Sequence, residues 1–269
     1  VFQFHSLGMY AHKSIFVDIL KNLYGQKISS IYNKSESTLP VKPDQRPKNE
    51  YLIGKPSKDF VIENGKIFYV DWEEGQKTGF FIDQRDNRKL LEKYSKGRSV
   101  LNTFCYTGGF SVYAIHGGAR MVHSVDSSQS AISLTTKNIN KNNFYNIAHT
   151  EYIDDVMNFF KNNKENYDLI ILDPPAFAKH NASYNNALIG YKRLNQKAIE
   201  QITKNGIIFT FSCSQVISKE DFRKTVFVAA ANTGRKVTIL HQLSQPADHP
   251  ISVYHPEGEY LKGLVLYIE

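Results

Sequence analysis

The first part of the chain has the hydrophobic pattern of a small domain that mixes helix and strand. Apolar side chains at helical spacing predict an amphipathic helix that stops at Gly25: Ile15, Phe16, Ile19, Leu20 and Leu23. Short apolar runs predict strands at residues 28–32 and 77–82. Residues 60–63 and 66–70 favour a hairpin, because Asn64-Gly65 suits a two-residue turn. With a polar loop at 35–50 and a charged helix from residue 83, we expect an α+β domain over residues 1–94.

The pattern changes near residue 95 to apolar strands that alternate with helices. The strand candidates are residues 99–104, 121–125, 148–150, 169–172 and 206–212, with residues 236–240 and 262–268 as candidates for a final hairpin. Apolar strands separated by helices are typical of a parallel sheet that is covered on both faces. The predicted fold class is therefore α/β, with a Rossmann-like sheet over residues 95–269.

Composition narrows the class of protein and its setting. The chain has 269 residues, 41% of them hydrophobic, so it can bury a sizeable core. No apolar run is long enough to cross a bilayer, and two cysteines are too few for a disulfide framework, which favours a reducing cytoplasm. No histidine and cysteine cluster has metal-ligand spacing, so we expect no metal. The net charge of +7 suits a polyanionic partner and suits an ordinary basic protein equally well.

The segment with the clearest chemical meaning runs from residue 100 to residue 111. A buried strand leads into a turn with Gly108 and Gly109, then a helix, and Asp126 follows the next apolar run. Glycine lets the backbone approach a ligand closely, and the acid can accept both ribose hydroxyls, so the pattern predicts a nucleoside site. The turn lacks the GxGxxG pyrophosphate pattern, which favours S-adenosylmethionine. Cys105 lies inside the turn, where we expect it to pack against the cofactor.

Two further strand ends carry candidate catalytic groups. Asp173-Pro174-Pro175 follows the run 169–172, at the carboxyl end of a central strand, where ligands of doubly wound sheets bind. Cys213 follows the run 206–210, beside Asp173 if the strand order is the usual one, and a thiolate there can act as a covalent nucleophile. The alternatives are a plain strand-ending turn for the first motif and a buried small residue for Cys213.

Several other polar residues have a binding interpretation and a structural one. Of Asp154 and Asp155, one could accept from the adenine amino group while the other caps the following helix. Residues 84–88 could contact a phosphate or a cofactor carboxylate, or open a solvated helix. Scattered basic residues could follow an RNA backbone, with Tyr184 or Tyr191 stacking on a base, or could be surface charge: Lys55, Lys58, Arg85, Arg88, Lys179, His180, Lys192 and Arg193.

At these residues the chain resembles the class I S-adenosylmethionine-dependent methyltransferases that act on cytosine C5 of large-subunit (23S) ribosomal RNA. The resemblance runs from about residue 14 to the end. Its shared segments are residues 77–88, 104–110, 126–128, 173–175, 190–192, 211–214, 248–250 and 256–263. The resemblance implies a Rossmann-like methyltransferase domain behind a small α+β domain on the RNA side. It also implies an RNA-binding PUA domain upstream, which we expect to be missing from these 269 residues.

The resemblance also implies roles for individual residues. Asp126 would hold the ribose hydroxyls, Asp155 the adenine amine, Asp173 would sit between methyl and base, and Cys213 would be the nucleophile. The cofactor-binding candidates are Phe104, Cys105, Tyr106, Thr107, Gly108, Asp126, Ser127, Asp155, Asp173, Gln84 and Arg85. The substrate-binding candidates are Pro174, Pro175, Lys179, Tyr191 and Lys192.

These residues could methylate a cytosine at C5 if the base leaves its stack and enters the pocket. Cytosine C5 is a poor nucleophile, and a thiolate added at C6 makes an enamine whose C5 can attack a methyl group. Two departures from related enzymes stand out. Ala176 and Phe177 follow Pro175 where other families have a second cysteine, so Asp173 or a water must remove the C5 proton. Relatives commonly have lysine at position 176, and Lys179 is the nearest substitute.

Three other functions remain in competition with this one. A guanine or adenine N-methyltransferase shares the Asp-Pro-Pro turn but needs no strand-end thiol. An RNA-binding module could keep the cofactor fold without catalysis, although the set of Asp126, Asp173 and Cys213 is complete. A nicotinamide dehydrogenase is disfavoured by the missing pyrophosphate pattern. Ribosomal RNA is the expected partner, no membrane is expected, and a homodimer is left open.

Overall fold

The computed structural model describes residues 1–56, 59–142, 144 and 148–269. The chain divides into two compact units, the first made of residues 1–62 and 68–81 and the second of residues 63–67 and 82–269. Residues 82–94, which we expected in the first domain, therefore group with the second unit. The RNA-side role of the small domain stays a prediction.

The first unit contains short helices and short strands. Its helices are α1 (Leu7–Ala11) and α2 (Lys13–Tyr24), with 3₁₀ turns at Gly25–Lys27 and Pro43–Gln45. Strand β1 (Ile31–Asn33) pairs antiparallel with β2 (Glu50–Ile53). The predicted amphipathic helix is confirmed as α2, which ends at Gly25 with a φ of 54°.

The hairpin predicted around Asn64-Gly65 is confirmed, and its residues are shared between the two units. It joins β3 (Phe60–Glu63) and β4 (Lys66–Tyr69). Asn64 and Gly65 have φ values of 49° and 78°, as a two-residue turn with two left-handed positions requires.

The strand predicted at residues 77–82 is wrong. Residues 72–80 form turns and bends instead, and a 3₁₀ turn begins at Ile82. Lys77 and Gly79 adopt left-handed φ values of 50° and 88°, and the Gly79 amide donates to the Gln76 carbonyl at 2.9 Å. A Cβ on Gly79 would lie 2.6 Å from the Asp71 carbonyl oxygen. The apolar side chains of this segment therefore belong to a tight turn, which an alternation pattern does not distinguish from a strand.

The second unit is built on a seven-stranded sheet. Its strands are β5 (Ser99–Thr103), β6 (Met121–Asp126), β7 (Ala148–Ile153), β8 (Tyr167–Leu172), β9 (Ile202–Ser212), β10 (Val237–Leu243) and β11 (Lys262–Ile268). Its helices are α3 (Arg85–Tyr94), α4 (Gly109–His116), α5 (Gln129–Lys141), α6 (Val156–Asn162), α7 (Tyr184–Gln201) and α8 (Lys219–Thr233). Three 3₁₀ turns, Ile82–Gln84, Asn181–Ser183 and Pro256–Gly258, complete the unit. The α/β class and the five predicted strands are confirmed.

The strand order brings the candidate residues to one edge of the sheet. The order is β10-β11-β9-β8-β5-β6-β7, and β5 to β9 run parallel. Thr103 lies opposite Leu172 on one side and Val125 on the other, and Leu172 lies opposite Thr210. The turn after β5, the acid at the end of β6 and the motifs after β8 and β9 therefore share the carboxyl edge, where this fold class binds ligands.

The last two strands form an antiparallel pair, but not a tight hairpin. Strand β11 inserts between β9 and β10 and is antiparallel to both, and residues 244–261 form a long connection between β10 and β11. Within the described ranges, no helix is both long and apolar enough to cross a membrane. The same residues contain no group of three or more His, Cys, Asp or Glu side chains that could hold a metal ion.

Candidate active site

The turn between β5 and α4 has an unusual backbone. Phe104, Tyr106 and Gly108 adopt left-handed φ values of 52°, 48° and 75°. Such values are uncommon for residues other than glycine, and they cluster at functional sites where the surrounding structure holds them. At Gly108 a Cβ would lie 2.6 Å from Thr135 Cγ2, so the turn requires glycine there.

Hydrogen bonds fix this turn against its neighbours. The Cys105 amide donates to the Val125 carbonyl at 3.0 Å, and Asn138 Nδ2 donates to the Thr107 carbonyl at 2.7 Å. The Cys105 thiol is buried against Thr135, and desolvation raises its pKa, so it is a packing group and not a reactive thiolate.

The Asp126 carboxylate is oriented by two backbone amides. Tyr106 N donates to Oδ2 and Ser128 N donates to Oδ1, each at 2.9 Å. Each oxygen keeps a lone pair for a further donor, and the side chain is only half-buried. A fixed carboxylate beside a glycine turn fits the hydroxyls of a nucleoside, and the exposed Ser127 lies next to it. These residues therefore suit S-adenosylmethionine.

The structure separates the two acids that follow β7. Asp155 is the N-cap of α6, and its Oδ1 accepts from the amides of Met157 and Asn158 at 2.9 and 3.0 Å. The Asp154 amide donates to the Asp126 carbonyl at 3.1 Å, which puts Asp154 beside the ribose candidate. The adenine role assigned to Asp155 stays a prediction, with Asp154 as the acid whose side chain does not cap the helix.

Asp173 lies at the centre of a partly buried polar cluster, in which Gln84 and Asn87 are buried. Gln84 Nε2 donates to Asp173 Oδ1 at 3.0 Å, while Gln84 Oε1 accepts from Asn87 Nδ2 at 2.7 Å. Desolvation, together with the charge of Asp83, raises the pKa of Asp173 to about 7. Gln84, predicted as a cofactor ligand, thus contacts the candidate catalytic acid.

Asp83 and Tyr260 belong to the same cluster. Both lie in segments shared with the family, but the sequence assigned neither residue a role. The Tyr260 hydroxyl donates to Asp83 Oδ2 at 2.6 Å, and Asp83 Oδ1 is buried without a hydrogen-bond partner in the described structure. The two residues are 177 positions apart, and no local pattern links them.

Cys213 lies next to the Asp-Pro-Pro turn, as the expected strand order requires. Its Sγ is 3.9 Å from the Pro174 carbonyl oxygen, and the side chain is half-buried. The chain beyond it is held through Ser214 Oγ, which accepts from Ala178 N at 3.2 Å and bonds the Tyr191 hydroxyl at 2.8 Å. A thiol and an acid with a raised pKa therefore share one edge of the sheet.

Lys262 is a second residue near the thiol that the sequence reasoning did not single out. Its Nζ donates to the Ser214 carbonyl at 2.8 Å, and only 4% of its side chain is exposed. Burial lowers the pKa of Lys262 to about 8. A lysine that opens an otherwise apolar strand was the available signal.

Two predicted RNA contacts are wrong. Tyr191 is fully buried and packs on Phe177 with 4.6 Å between ring centroids, so it cannot stack on a base. Arg88 is buried in an ion pair with Glu63, so it cannot contact a phosphate. Both side chains were assigned from residue type, and the helix faces that bury them were not visible in the sequence.

The other basic candidates are dispersed. Arg85 pairs with Asp248 at 2.5 Å, which leaves its predicted cofactor contact a prediction. Pro175 and Lys179 are exposed after β8, and Lys192 lines a groove between α7 and α8. Lys58 lies outside the described residues.

Comparison with known proteins gives consistent matches. The profile of a family described as S-adenosylmethionine-dependent methyltransferase matches residues 37–254. "Ribosomal RNA large subunit methyltransferase I" of Tolumonas auensis is 41% identical over 99% of this chain and 68% of its own length. The protein of the same name from Yersinia pseudotuberculosis is 36% identical over 100% of this chain and 68% of its own length.

Solved structures agree on the fold. A Streptococcus mutans chain assigned as a SAM-dependent methyltransferase superposes with a TM-score of 0.82 at 26% identity, over 96% of this chain and 66% of that one. A second, assigned as a methyltransferase and complexed with S-adenosylhomocysteine, gives 0.82 at 27% identity with the same coverage. The tRNA m1G37 methyltransferase of M. jannaschii gives 0.64 at 20% identity over 94% and 66%, which shows the fold alone. The chain thus spans about two thirds of the length of these relatives.

Proposed function

Because this chain belongs to the S-adenosylmethionine-dependent methyltransferases, we propose that it methylates C5 of a cytosine in large-subunit ribosomal RNA through a covalent adduct with Cys213. The observation that carries the proposal is the position of Cys213. Its sulfur is next to the Pro174 carbonyl, at the sheet edge that also carries the glycine turn and Asp126. The names of the relatives supply the class of RNA.

In the proposed reaction, each candidate residue has a separate role. S-Adenosylmethionine supplies the methyl group and would lie against the turn at residues 104–108 and the Asp126 carboxylate. The Cys213 thiolate would add to cytosine C6, and C5 would bond to the methyl carbon as the bond between that carbon and the sulfonium sulfur breaks, with S-adenosylhomocysteine as the leaving group. Loss of the C5 proton then reforms the double bond and releases the Cys213 sulfur. Alignment of C5 with the methyl carbon supplies much of the rate, since such positioning is worth up to about 7–11 kcal/mol.

Asp173 is the group we assign to the proton. Its pKa, raised to about 7 by desolvation and by Asp83, lets it hold or release a proton near neutral pH. Gln84 Nε2 fixes the carboxyl orientation at 3.0 Å. The proton acceptor is Asp173 itself or a water that Asp173 orients, because no second cysteine follows the Asp-Pro-Pro turn.

A mechanism-based trap tests the proposal. A large-subunit RNA fragment that carries 5-fluorocytosine is mixed with the protein and S-adenosylmethionine and run on a denaturing gel. Fluorine cannot leave C5 as a proton does, so a thiolate mechanism should stall as a covalent complex. The chain has two cysteines, which gives a matched pair. We expect the shifted band to vanish in Cys213→Ala and to persist in Cys105→Ala.

Other outcomes would favour the competing functions. Methyl transfer to ordinary RNA without any trapped band would indicate a nitrogen methyltransferase, in which Cys213→Ala retains turnover. Calorimetric titration with S-adenosylmethionine tests whether the protein is instead an RNA-binding module without catalysis. Absence of binding would support that module, because the glycine turn and Asp126 would then hold no cofactor.

A further inference from the structure

The ammonium group of Lys262 is buried, and no carboxylate among the described residues forms an ion pair with it. In the described part of the chain, its one hydrogen bond is to the Ser214 carbonyl at 2.8 Å, and it forms no ion pair. A buried charge is costly unless a countercharge accompanies it, so a lysine in this state is either neutral or has a partner that is charged for part of the reaction cycle.

The neighbouring groups leave one candidate for that partner. The charge of the Glu259 carboxylate raises the pKa of Lys262, but Glu259 is already in an ion pair with the Lys219 ammonium. Lys219 carries a like charge and lowers the pKa of Lys262. The remaining titratable group whose charge changes the pKa of Lys262 is Cys213, which raises it.

The strand register explains how the lysine reaches the thiol. Lys262 is the first residue of β11 and lies opposite Ser212, the last residue of β9. Its Nζ donates to the carbonyl of Ser214, two residues after Ser212, so the long side chain lies along the segment that contains Cys213. The phenols of Tyr191 and Tyr260 also act on Cys213, but both are neutral at physiological pH because burial raises their pKa values. Lys262 is therefore a cation that interacts with the thiol.

We propose that Lys262 is a positioning residue for the nucleophile, whose buried ammonium favours the thiolate form of Cys213 and so prepares the sulfur for addition to cytosine C6. This inference rests on the proposed function of Cys213. No proton passes through Lys262 in this role. The thiol proton goes to solvent, and the Cys213 thiolate then balances the charge of the Lys262 ammonium.

The test measures the thiol directly. The rate of Cys213 alkylation by iodoacetamide is followed by mass spectrometry of the Cys213 peptide between pH 5.5 and pH 9.5. Iodoacetamide reacts with the thiolate, so the rate profile reports the thiol pKa. In Lys262→Met we expect the profile to move to higher pH by about one unit, an approximately tenfold slower reaction at pH 7. Lys262→Arg should keep most of the wild-type rate.

Two further variants separate charge from structure. Lys262→Gln keeps an amide donor for the Ser214 carbonyl but removes the charge, so it should shift the profile as methionine does. Lys236→Met removes an exposed lysine that pairs with Glu269, and its profile should match wild type. If methionine disrupts the fold, as judged by circular dichroism, the glutamine and arginine variants decide the question.

The results distinguish this inference from the proposed function. Coincident alkylation profiles for wild type and Lys262→Gln would overturn the role of Lys262, even if the 5-fluorocytosine band forms. A shifted profile without any trapped band in wild type would support the ion pair and reject the cytosine mechanism.

Discussion

Replacing Arg88 with methionine should destabilise the protein without weakening its binding to RNA. The Arg88 guanidinium donates to both carboxylate oxygens of Glu63, from Nε at 2.9 Å and from Nη2 at 2.7 Å. The two side chains are 4% and 6% exposed, so water screens the pair very little. The Tyr113 hydroxyl donates to the same carboxylate at 3.0 Å. This arginine therefore has a structural partner and no exposed face for a phosphate.

The expected loss follows from the charge that remains. Removal of one partner from a buried ion pair costs about 3–5 kcal/mol, because the other charge stays buried. Methionine keeps much of the apolar stem, so we expect the lower end, about 3 kcal/mol. For a unit of this size, that loss corresponds to a fall in Tm of about 6–12 °C. The double variant Arg88→Met with Glu63→Met should recover most of the loss, since it leaves no unpaired charge.

Urea titration followed by circular dichroism measures the stability, and RNA binding is measured over a salt series at low temperature, where all variants are folded. Lys179→Met is the comparison, because this exposed lysine follows the Asp-Pro-Pro turn and should affect binding more than stability. An unchanged urea midpoint for Arg88→Met, with weaker RNA binding and a shallower salt dependence, would refute the structural role.

Two more predictions concern the glycine turn and the buried acid. Gly108→Ala should lower both the Tm and the stabilisation by S-adenosylmethionine, because its Cβ would lie 2.6 Å from Thr135 Cγ2. Gly234→Ala is the control for backbone strain alone, since its φ of 66° is similar but no atom lies within 4 Å of the added carbon. The folded-state pKa of about 7 for Asp173 exceeds its unfolded value near 4, so the folded protein binds the extra proton between these values. Its unfolding free energy should therefore fall as pH rises from 5 to 8, by about 2–3 kcal/mol, and Asp173→Asn should flatten that slope in urea titrations. Parallel slopes would contradict the raised pKa.

The sequence was sufficient for the sheet and for the residues at its strand ends. Strand candidates that alternate with helices predicted five parallel strands, because this alternation is typical of a sheet that is covered on both faces. Asp126, Asp173 and Cys213 followed from that assignment, since each comes directly after such a strand candidate. The short strand predicted at residues 77–82 failed because its apolar residues lie in a turn that Gly79 closes.

Side chains on helices were harder to assign than those at strand ends. Tyr191 and Arg88 have the chemistry expected of RNA contacts, yet α7 and α3 turn them inward. Whether a helix face is buried depends on elements that pack from elsewhere in the chain, and a local pattern does not identify those elements. Residue type alone therefore suggested binding where the structure shows packing.

Two polar side chains near the candidate catalytic residues come from one short segment far along the chain. The Tyr260 hydroxyl donates to Asp83, and the charge of Asp83 raises the pKa of Asp173. Lys262 donates to the carbonyl of the residue after Cys213. Tyr260 lies two residues before Lys262, so one short segment contacts both Asp83 and the carbonyl beside Cys213. It does so because β11 inserts next to β9 in antiparallel orientation, which brings its first residues to the carboxyl edge of the parallel strands. A reversed last strand thus brings a phenol and a cation to this edge of the sheet.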